Sequence, residues 1–275
     1  MAIDDRTRLN NGVDIPSVGL GVFRSHEGKE TEQAVAWALE AGYRHIDTAK
    51  VYKNEKSVGA GLRASGVPRK EVFLTTKIWN DDMRDNRQLK SFEESLEKMG
   101  VEYIDLYLIH WPVANFLATW QILEEIHASG RAKAIGVSNF QIHHLDKLLP
   151  LVKVKPAVDQ VELHPYLTQL PLRQYLAEKN IAIESWSPLG GQGGAILRDT
   201  EVAAIAASHH KSPAQVIIRW NLQNGIIVIP KSVHKERIVE NANVYDFELT
   251  AAELARLNAL NRDRRFGPDP ENFNF

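Results

Sequence analysis

The stretch VFLTTKIWNDDMRDNRQLKSFEESLEKMGVEYIDLYLIHW, residues 72–111, holds one complete repeat of the pattern that runs through this chain. The short apolar, β-branched run at 72–78 reads as a strand. The amphipathic segment at 87–99 reads as a helix, with Gly100 at its stop. A second apolar run at 104–111 reads as the next strand. Two strands joined through a helix lie parallel in one sheet.

Outward from this unit the alternation continues. Further strand-like runs lie near 17–23, 45–49, 134–138, 157–163, 182–187 and 226–230. Helical patterns fall near 30–41, 54–65, 117–129, 141–149, 169–179 and 213–224, with more at 199–209, 235–242 and 250–260. In TEQAVAWALEAG, Val35, Ala38 and Leu39 share a face and Gly42 marks the end. Eight strands alternating with helices imply an α/β fold, and eight units permit closure into a (β/α)8 TIM barrel. An open doubly wound sheet is the rival arrangement. Such a barrel takes about 250 residues, so 275 residues fit one domain spanning 1–275. Ahead of the repeats, Asn11-Gly12 is a turn signal and places an N-terminal β-hairpin outside them. Residues 261–275, with Gly267, Pro268 and Pro270, read as an irregular C-terminal tail.

A hydrophobic content of 44% and a charged content of 25% are those of an ordinary soluble globular protein. The net charge of −2 supplies no basic field for nucleic acid or an anionic membrane. No apolar run approaches the roughly 18 residues of a membrane span. The opening MAIDDRTRLN lacks the features of a signal peptide. With no cysteine, disulfides, thiolate metal sites and cysteine nucleophiles are excluded. The expectation is a cytoplasmic monomer that acts on a small molecule, with no nucleic-acid, membrane or metal partner.

Three apolar runs end in chemistry. YRHIDTA delivers Asp47, VFLTTKI delivers Lys77, IDLYLIH delivers His110, and Tyr52 follows Asp47 by five residues. In a parallel barrel all strand C-termini open onto one face, so these four would meet in one mouth. A free phenol gives up its proton reluctantly at neutral pH, and a nearby ammonium such as Lys77 favours the phenolate. Asp47 would hold Lys77 charged, and His110 would bond a carbonyl oxygen or share a proton relay. A carbonyl receiving hydride needs such a proton and such donors. Each residue alone has a plainer reading: Tyr52 as a rim residue, Lys77 solvated, Asp47 capping the helix near Asn54, His110 a satisfied core histidine. Their joint placement favours carbonyl reduction.

The tracts GYRHIDTAKVYKNE (42–55), LTTKIWN (74–80), EYIDLYLIHWP (102–112), IGVSNF (135–140), QVELHP (160–165) and IPKSVHKERIVEN (229–241) together resemble the aldo-keto reductases, from the hairpin to the tail. RFGPDPE (265–271) is similar to the group of 2,5-diketo-gluconate reductase, glyoxal reductase and prostaglandin F synthase. The resemblance implies a (β/α)8 barrel that uses NADPH without metal or flavin. It implies Tyr52 as general acid, Lys77 and Asp47 as its tuning pair, and His110 as the donor that orients the carbonyl.

The resemblance also implies a cofactor site. Ser138, Asn139 and Gln160 would hold the nicotinamide carboxamide and Trp186 would stack on the ring. Gly21, Val22, Ser187, Leu189 and Gly190 would line the same site. Without the resemblance, Trp186 reads as a core tryptophan. The loop SPLGGQGG (187–194) has four glycines whose bare amides could approach a pyrophosphate, while no GxGxxG fingerprint is present. Lys231, Ser232 and Arg237 would face the adenosine 2′-phosphate, with Glu240 and Asn241 near the adenine. A lysine and an arginine fork suit a phosphate dianion.

Phe23, Trp79 and Trp111 follow strand ends and are expected to line a cleft for a small carbonyl substrate, closed by tail residues from about 262 onward. The short segment WPVANFLATW suggests that this cleft is open. Asp159 stands where the family has asparagine, and an unpaired carboxylate near nicotinamide would disturb the site or pair locally. Lys50, two before Tyr52, would add charge near the phenol or point to solvent. Two other classes compete: an NADPH-sensing regulatory subunit with little turnover, and a metal hydrolase or aldolase. For a metal site, His143-His144 or His209-His210 would have to chelate together, although neighbours on a helix diverge by about 100°.

Overall fold

A computed structural model describes residues 3, 5–191, 194–273 and 275 of the chain. Strands β1 (Arg6–Arg8) and β2 (Asp14–Pro16) pair antiparallel, with Thr7 opposite Ile15. Between them the Gly12 amide donates to the Leu9 carbonyl at 3.0 Å, so the turn forms at Asn11-Gly12 as the sequence predicts.

Eight strands follow: β3 (Leu20–Gly21), β4 (His45–Asp47), β5 (Phe73–Ile78), β6 (Ile104–Ile109), β7 (Ala132–Ser138), β8 (Val158–Glu162), β9 (Ala182–Trp186) and β10 (Ile227–Val228). Each pairs parallel with its neighbour in sequence, in one unbroken order. The first and last meet through parallel bridges Val18–Val228 and Gly21–Lys231. There the Gly19 amide donates to the Val228 carbonyl, and the Val228 amide to the Ser17 carbonyl, both at 2.9 Å. The order contains no switch point, which distinguishes this barrel from an open doubly wound sheet.

Helix α1 (Lys29–Glu40) follows β3 and α2 (Glu55–Ala64) follows β4. After β5 come α3 (Asn80–Arg84) and α4 (Gln88–Met99), and after β6 comes α5 (Phe116–Ala128). Helices α6 (Ile142–Leu148) and α7 (Leu170–Glu178) follow β7 and β8. The last are α8 (Thr200–Ser208) and α9 (Pro213–Gln223) after β9, then α10 (Lys235–Ala242) and α11 (Ala251–Asn258). Gly100 ends α4 in the left-handed region at φ 66°, where its amide and that of Val101 both reach the Leu96 carbonyl. The periodicity does not predict α3, because five residues are too few to display a helical repeat.

Two apolar layers result. The larger lies between strands and helices and includes Val35, Leu39, Phe92, Trp120 and Trp220. The smaller fills the lower barrel, where Leu106, Leu108, Ala134, Val158 and Ile227 pack with Leu9 and Ile15 of the hairpin. The hairpin is therefore a plug. Strand parity divides each strand between the layers: on β8, Val158 joins the inner layer and Val161 the outer. Among the described residues no helix is long and apolar enough to cross a membrane.

Candidate active site

Lys77 projects from β5, a strand buried along its whole length, and Asp47 ends β4. The Lys77 ammonium donates to both Asp47 carboxylate oxygens, at 2.7 and 2.8 Å, and to the Thr48 carbonyl at 2.9 Å. Burial works against the ammonium, but Asp47 and Tyr52 outweigh it and hold the lysine above its ordinary value. Burial pushes the Asp47 carboxyl up, while Lys77 and Gln160 pull it back.

Tyr52 sits on a single 3-10 turn, Lys50–Tyr52, directly after β4. Lys77 Nζ lies 5.2 Å from its ring centroid. Tyr52 is half-buried. Burial pushes the phenol up to about 12; Lys77 opposes this, and Asp47 adds to it. This corrects the expectation that the lysine leaves a net lowered value: the cost of placing a phenolate in this dry site exceeds the attraction of one ammonium that Asp47 already neutralises.

The His110 ring stands 5.7 Å from the Tyr52 ring at 74°. Asn139 Nδ2 fixes the His110 backbone by donating to its carbonyl at 2.9 Å. Burial, then the Lys77 charge, hold His110 well below the usual imidazole value, so it is neutral at neutral pH. The four residues read from separate strand ends thus meet in one place. Lys50 neither points to solvent nor crowds the phenol with charge. Its ammonium bonds Ser91 at 3.0 Å, Asp82 at 2.8 Å and Glu94 at 2.7 Å, and so ties the turn carrying Tyr52 to α3 and α4.

Beside this group lie the residues expected to hold a carboxamide. Ser138 Oγ donates to the Gln160 carbonyl at 2.7 Å, and Asn139 Oδ1 accepts from the Trp186 indole at 2.9 Å. Gln160 Nε2 donates to Asp47 at 2.8 Å and to Glu184 at 2.7 Å. Trp186 is partly exposed at the strand end. The tail crosses it so closely that a Cβ on Gly267 would lie 2.4 Å from the indole.

A cavity of about 670 Å³ adjoins, lined by Leu189, Lys231, Ser232, Arg237, Glu240 and Asn241. Burial lowers the Lys231 ammonium, and neither Lys231 nor Arg237 forms an ion pair with another described residue. Two cations facing a cavity, with only the more distant Glu30 charge acting on Lys231, fit a phosphate dianion. Sequence reasoning missed Arg198, Ser212 and Ala214 on the same wall; Ser212 and Ala214 belong to a capped helix start, whose S-x-x-Q box signals a helix and not a ligand. Gly190, Gly191 and Gly194 all have positive φ, as a glycine loop requires; Gln192 and Gly193 lie outside the described residues. Ser187 also has positive φ. Gly21 bridges to Lys231. Val22 is fully buried, and its carbonyl accepts from Asn54 and from the Ser25 amide.

On the open side, Phe23 is 49% exposed with its ring 4.9 Å from Tyr52. Trp79 stands edge-on to His110 at 5.3 Å. The tail then covers both tryptophans: Phe275 stacks on Trp79 at 5.6 Å and Phe273 lies 4.9 Å from Trp111. Asn80 and Arg84 of α3 hold the Phe275 backbone oxygen at 3.2 and 2.8 Å. The cleft is therefore walled by the tail where the short 111–120 segment suggested an opening. Further back, buried Glu162 accepts from the Phe266 amide at 2.7 Å and anchors the tail.

Two expectations change. Asp159 does not face the cofactor side: Gln160 points into the barrel, so its neighbour points toward the helices. There Asp159 is fully buried, with no side-chain partner among the described residues and only the Phe140 backbone acting on its carboxylate. Burial holds it well above the usual carboxylate value. His143 and His144 do approach each other, with ring centroids 3.9 Å apart, and lie within ligand range of Glu271. Both are residues of α6, so the rings meet through their side-chain torsions and not through the helix geometry. His144 Nδ1 already accepts from the Gln141 amide at 3.1 Å, and a neutral imidazole has one acceptor nitrogen.

The profile of the Aldo/keto reductase family matches residues 17–262. The 9,11-endoperoxide prostaglandin H2 reductase of Trypanosoma cruzi is 54% identical over 96% of this chain and 94% of its own. The glyoxal reductase of Bacillus subtilis is 48% identical, covering 100% of this chain and 99% of its own. The Bombyx mori aldo-keto reductase, solved in complex with NADP, superposes with a TM-score of 0.92 at 38% identity, over 98% of this chain and 97% of its own. The match spans the barrel, its strand ends and the cavity beside them, and the chain belongs to the aldo/keto reductase family.

Proposed function

We propose that this protein is an NADPH-dependent carbonyl reductase that converts small aldehydes, ketones and dicarbonyls such as methylglyoxal to alcohols. The observation that carries this reading is the meeting of Tyr52, Lys77, Asp47 and His110 at one mouth, beside a cavity lined by Lys231 and Arg237. Similarity to a glyoxal reductase and to an NADP complex supports both the reaction class and the cofactor.

Bound NADPH would supply the hydride. Tyr52 gives its proton to the oxygen that becomes negative, and the phenolate left behind rests against the Lys77 ammonium. An alkoxide is a stronger base than a phenolate, so the transfer runs downhill even with the phenol at about 12. Neutral His110 donates a hydrogen bond to the same oxygen and orients it, leaving Tyr52 as the one acid. Asp47 keeps Lys77 charged. Lys231 and Arg237 receive the 2′-phosphate, which favours NADPH over NADH. Phe23, Trp79 and Trp111 supply apolar walls that suit varied substrates.

The test follows NADPH consumption with methylglyoxal, phenylglyoxal, nitrobenzaldehyde and a diketo-sugar acid, for wild type and Tyr52→Phe. Turnover that falls about 10²–10⁴-fold in the variant, with NADPH affinity retained, is expected. Tight NADPH binding without turnover on any carbonyl would overturn the reading and favour a nucleotide-sensing subunit.

A further inference from the structure

Beneath the Tyr52–Lys77 pair the barrel interior holds a second carboxyl that the reaction above does not use. Glu184 precedes Trp186 by two residues on β9, shares its inward face, and is fully buried. Its Oε2 accepts from Gln160 Nε2 at 2.7 Å, and the same nitrogen donates to Asp47 at 2.8 Å. An amide nitrogen carries two hydrogens, so both are engaged and the Gln160 amide has one orientation. Its oxygen is then the end left to accept from a ligand.

Glu184 has no cation of its own. Lys77 directs its hydrogen bonds at Asp47, Thr48 and Tyr52, and acts on Glu184 only through its charge. The groups facing Glu184 are His45 and Asp47 from β4, Lys77 from β5, Gln160 from β8 and Tyr52 from the turn, while β10 presents Ile227 in register. His45 stands 3.6 Å away, and burial holds it at about 3, so it offers no charge. Burial and the Asp47 charge raise the Glu184 carboxyl well above its ordinary value.

We propose that Glu184 is a positioning residue that orients the Gln160 amide toward the nicotinamide carboxamide and, on losing its proton, weakens Tyr52 as an acid. The proposal rests on the carbonyl-reductase reading. The negative charge raises the phenol further, so reduction slows as pH climbs past neutrality.

Three proteins test it: wild type, Glu184→Gln and Glu184→Leu. NADPH affinity is read by quenching of tryptophan fluorescence, and kcat for methylglyoxal is read against pH. Loss of one acceptor to Gln160 in Glu184→Leu is expected to weaken NADPH about tenfold. Glu184→Gln keeps an acceptor oxygen and is expected to restore that affinity. It carries no ionisable group, so the alkaline decline of wild-type kcat is expected to flatten. Wild-type affinity in Glu184→Leu, or an unchanged alkaline decline in Glu184→Gln, would overturn the proposal. Should Glu184→Leu fail to fold, the pH profile of Glu184→Gln decides. A wild type that binds NADPH yet reduces nothing sinks the reductase reading, while the affinity comparison still decides whether Glu184 governs Gln160.

Discussion

The two ends of the barrel interior are built from the same strands and hold opposite contents. The hairpin end is apolar, with Leu106, Leu108, Ala134, Val158 and Ile227 closed below by Leu9 and Ile15. The far end packs Asp47, Lys77, Gln160 and Glu184 into a space just as dry. β8 passes through both, presenting Val158 at one level and Gln160 at the next inward position. The difference teaches that stability and chemistry are divided along the barrel axis. Apolar burial at one end stabilises strands whose other end must hold ions away from water.

The strongest challenge to this division is Lys77→Met. It leaves Asp47 buried with only Gln160 as partner, and is expected to lower unfolding stability by about 3–5 kcal/mol in urea titrations, along with activity. Adding Asp47→Asn removes the stranded charge, so much of the stability should return while activity does not. A double variant as unstable as the single would mean that the polar end contributes packing rather than pairing.

Next in size is Leu106→Ala at the apolar end, fully buried in the wild type. A loss of about 2–5 kcal/mol in stability is expected, with kcat held within about twofold. A large fall in kcat would show that the two ends are coupled.

The smallest effect concerns His45, which lies between them and bonds Thr75 Oγ1 at 3.1 Å. Burial lowers it from 6.5 to about 3. Between those values the unfolded chain binds a proton that the folded one does not, so stability falls as pH falls. Its share of the slope is about 1.4 kcal/mol per pH unit. His45→Asn should remove that share from denaturation midpoints measured at several mildly acidic pH values. An identical slope in the variant would place the acid sensitivity elsewhere, with His110 as the next group to examine.

The eight strands and their helices were legible because each strand is a compact apolar run and each long helix shows a repeat. Asp47, Lys77 and His110 were legible for a related reason: a polar residue at the end of an apolar run stands out. Glu184 was not, since it lies inside a run, and only the registry of β8 with β9 brings it to Gln160. The outward direction of Asp159 was available from strand parity once Gln160 is directed inward. Lys50 was not readable, because Asp82 and Glu94 reach it from a different unit.

By itself the sequence determined the barrel class, the hairpin, the strand-end residues and the family, since these depend on periodicity and on local motifs. Only the tertiary structure decided how those residues behave. Burial keeps Tyr52 protonated, makes His110 neutral, and leaves Glu184 sharing Gln160 with Asp47. It also brought the tail aromatics onto Trp79 and Trp111. Such effects depend on how much water the whole fold excludes and on which distant groups share that space, and neither quantity is encoded in any one stretch of chain.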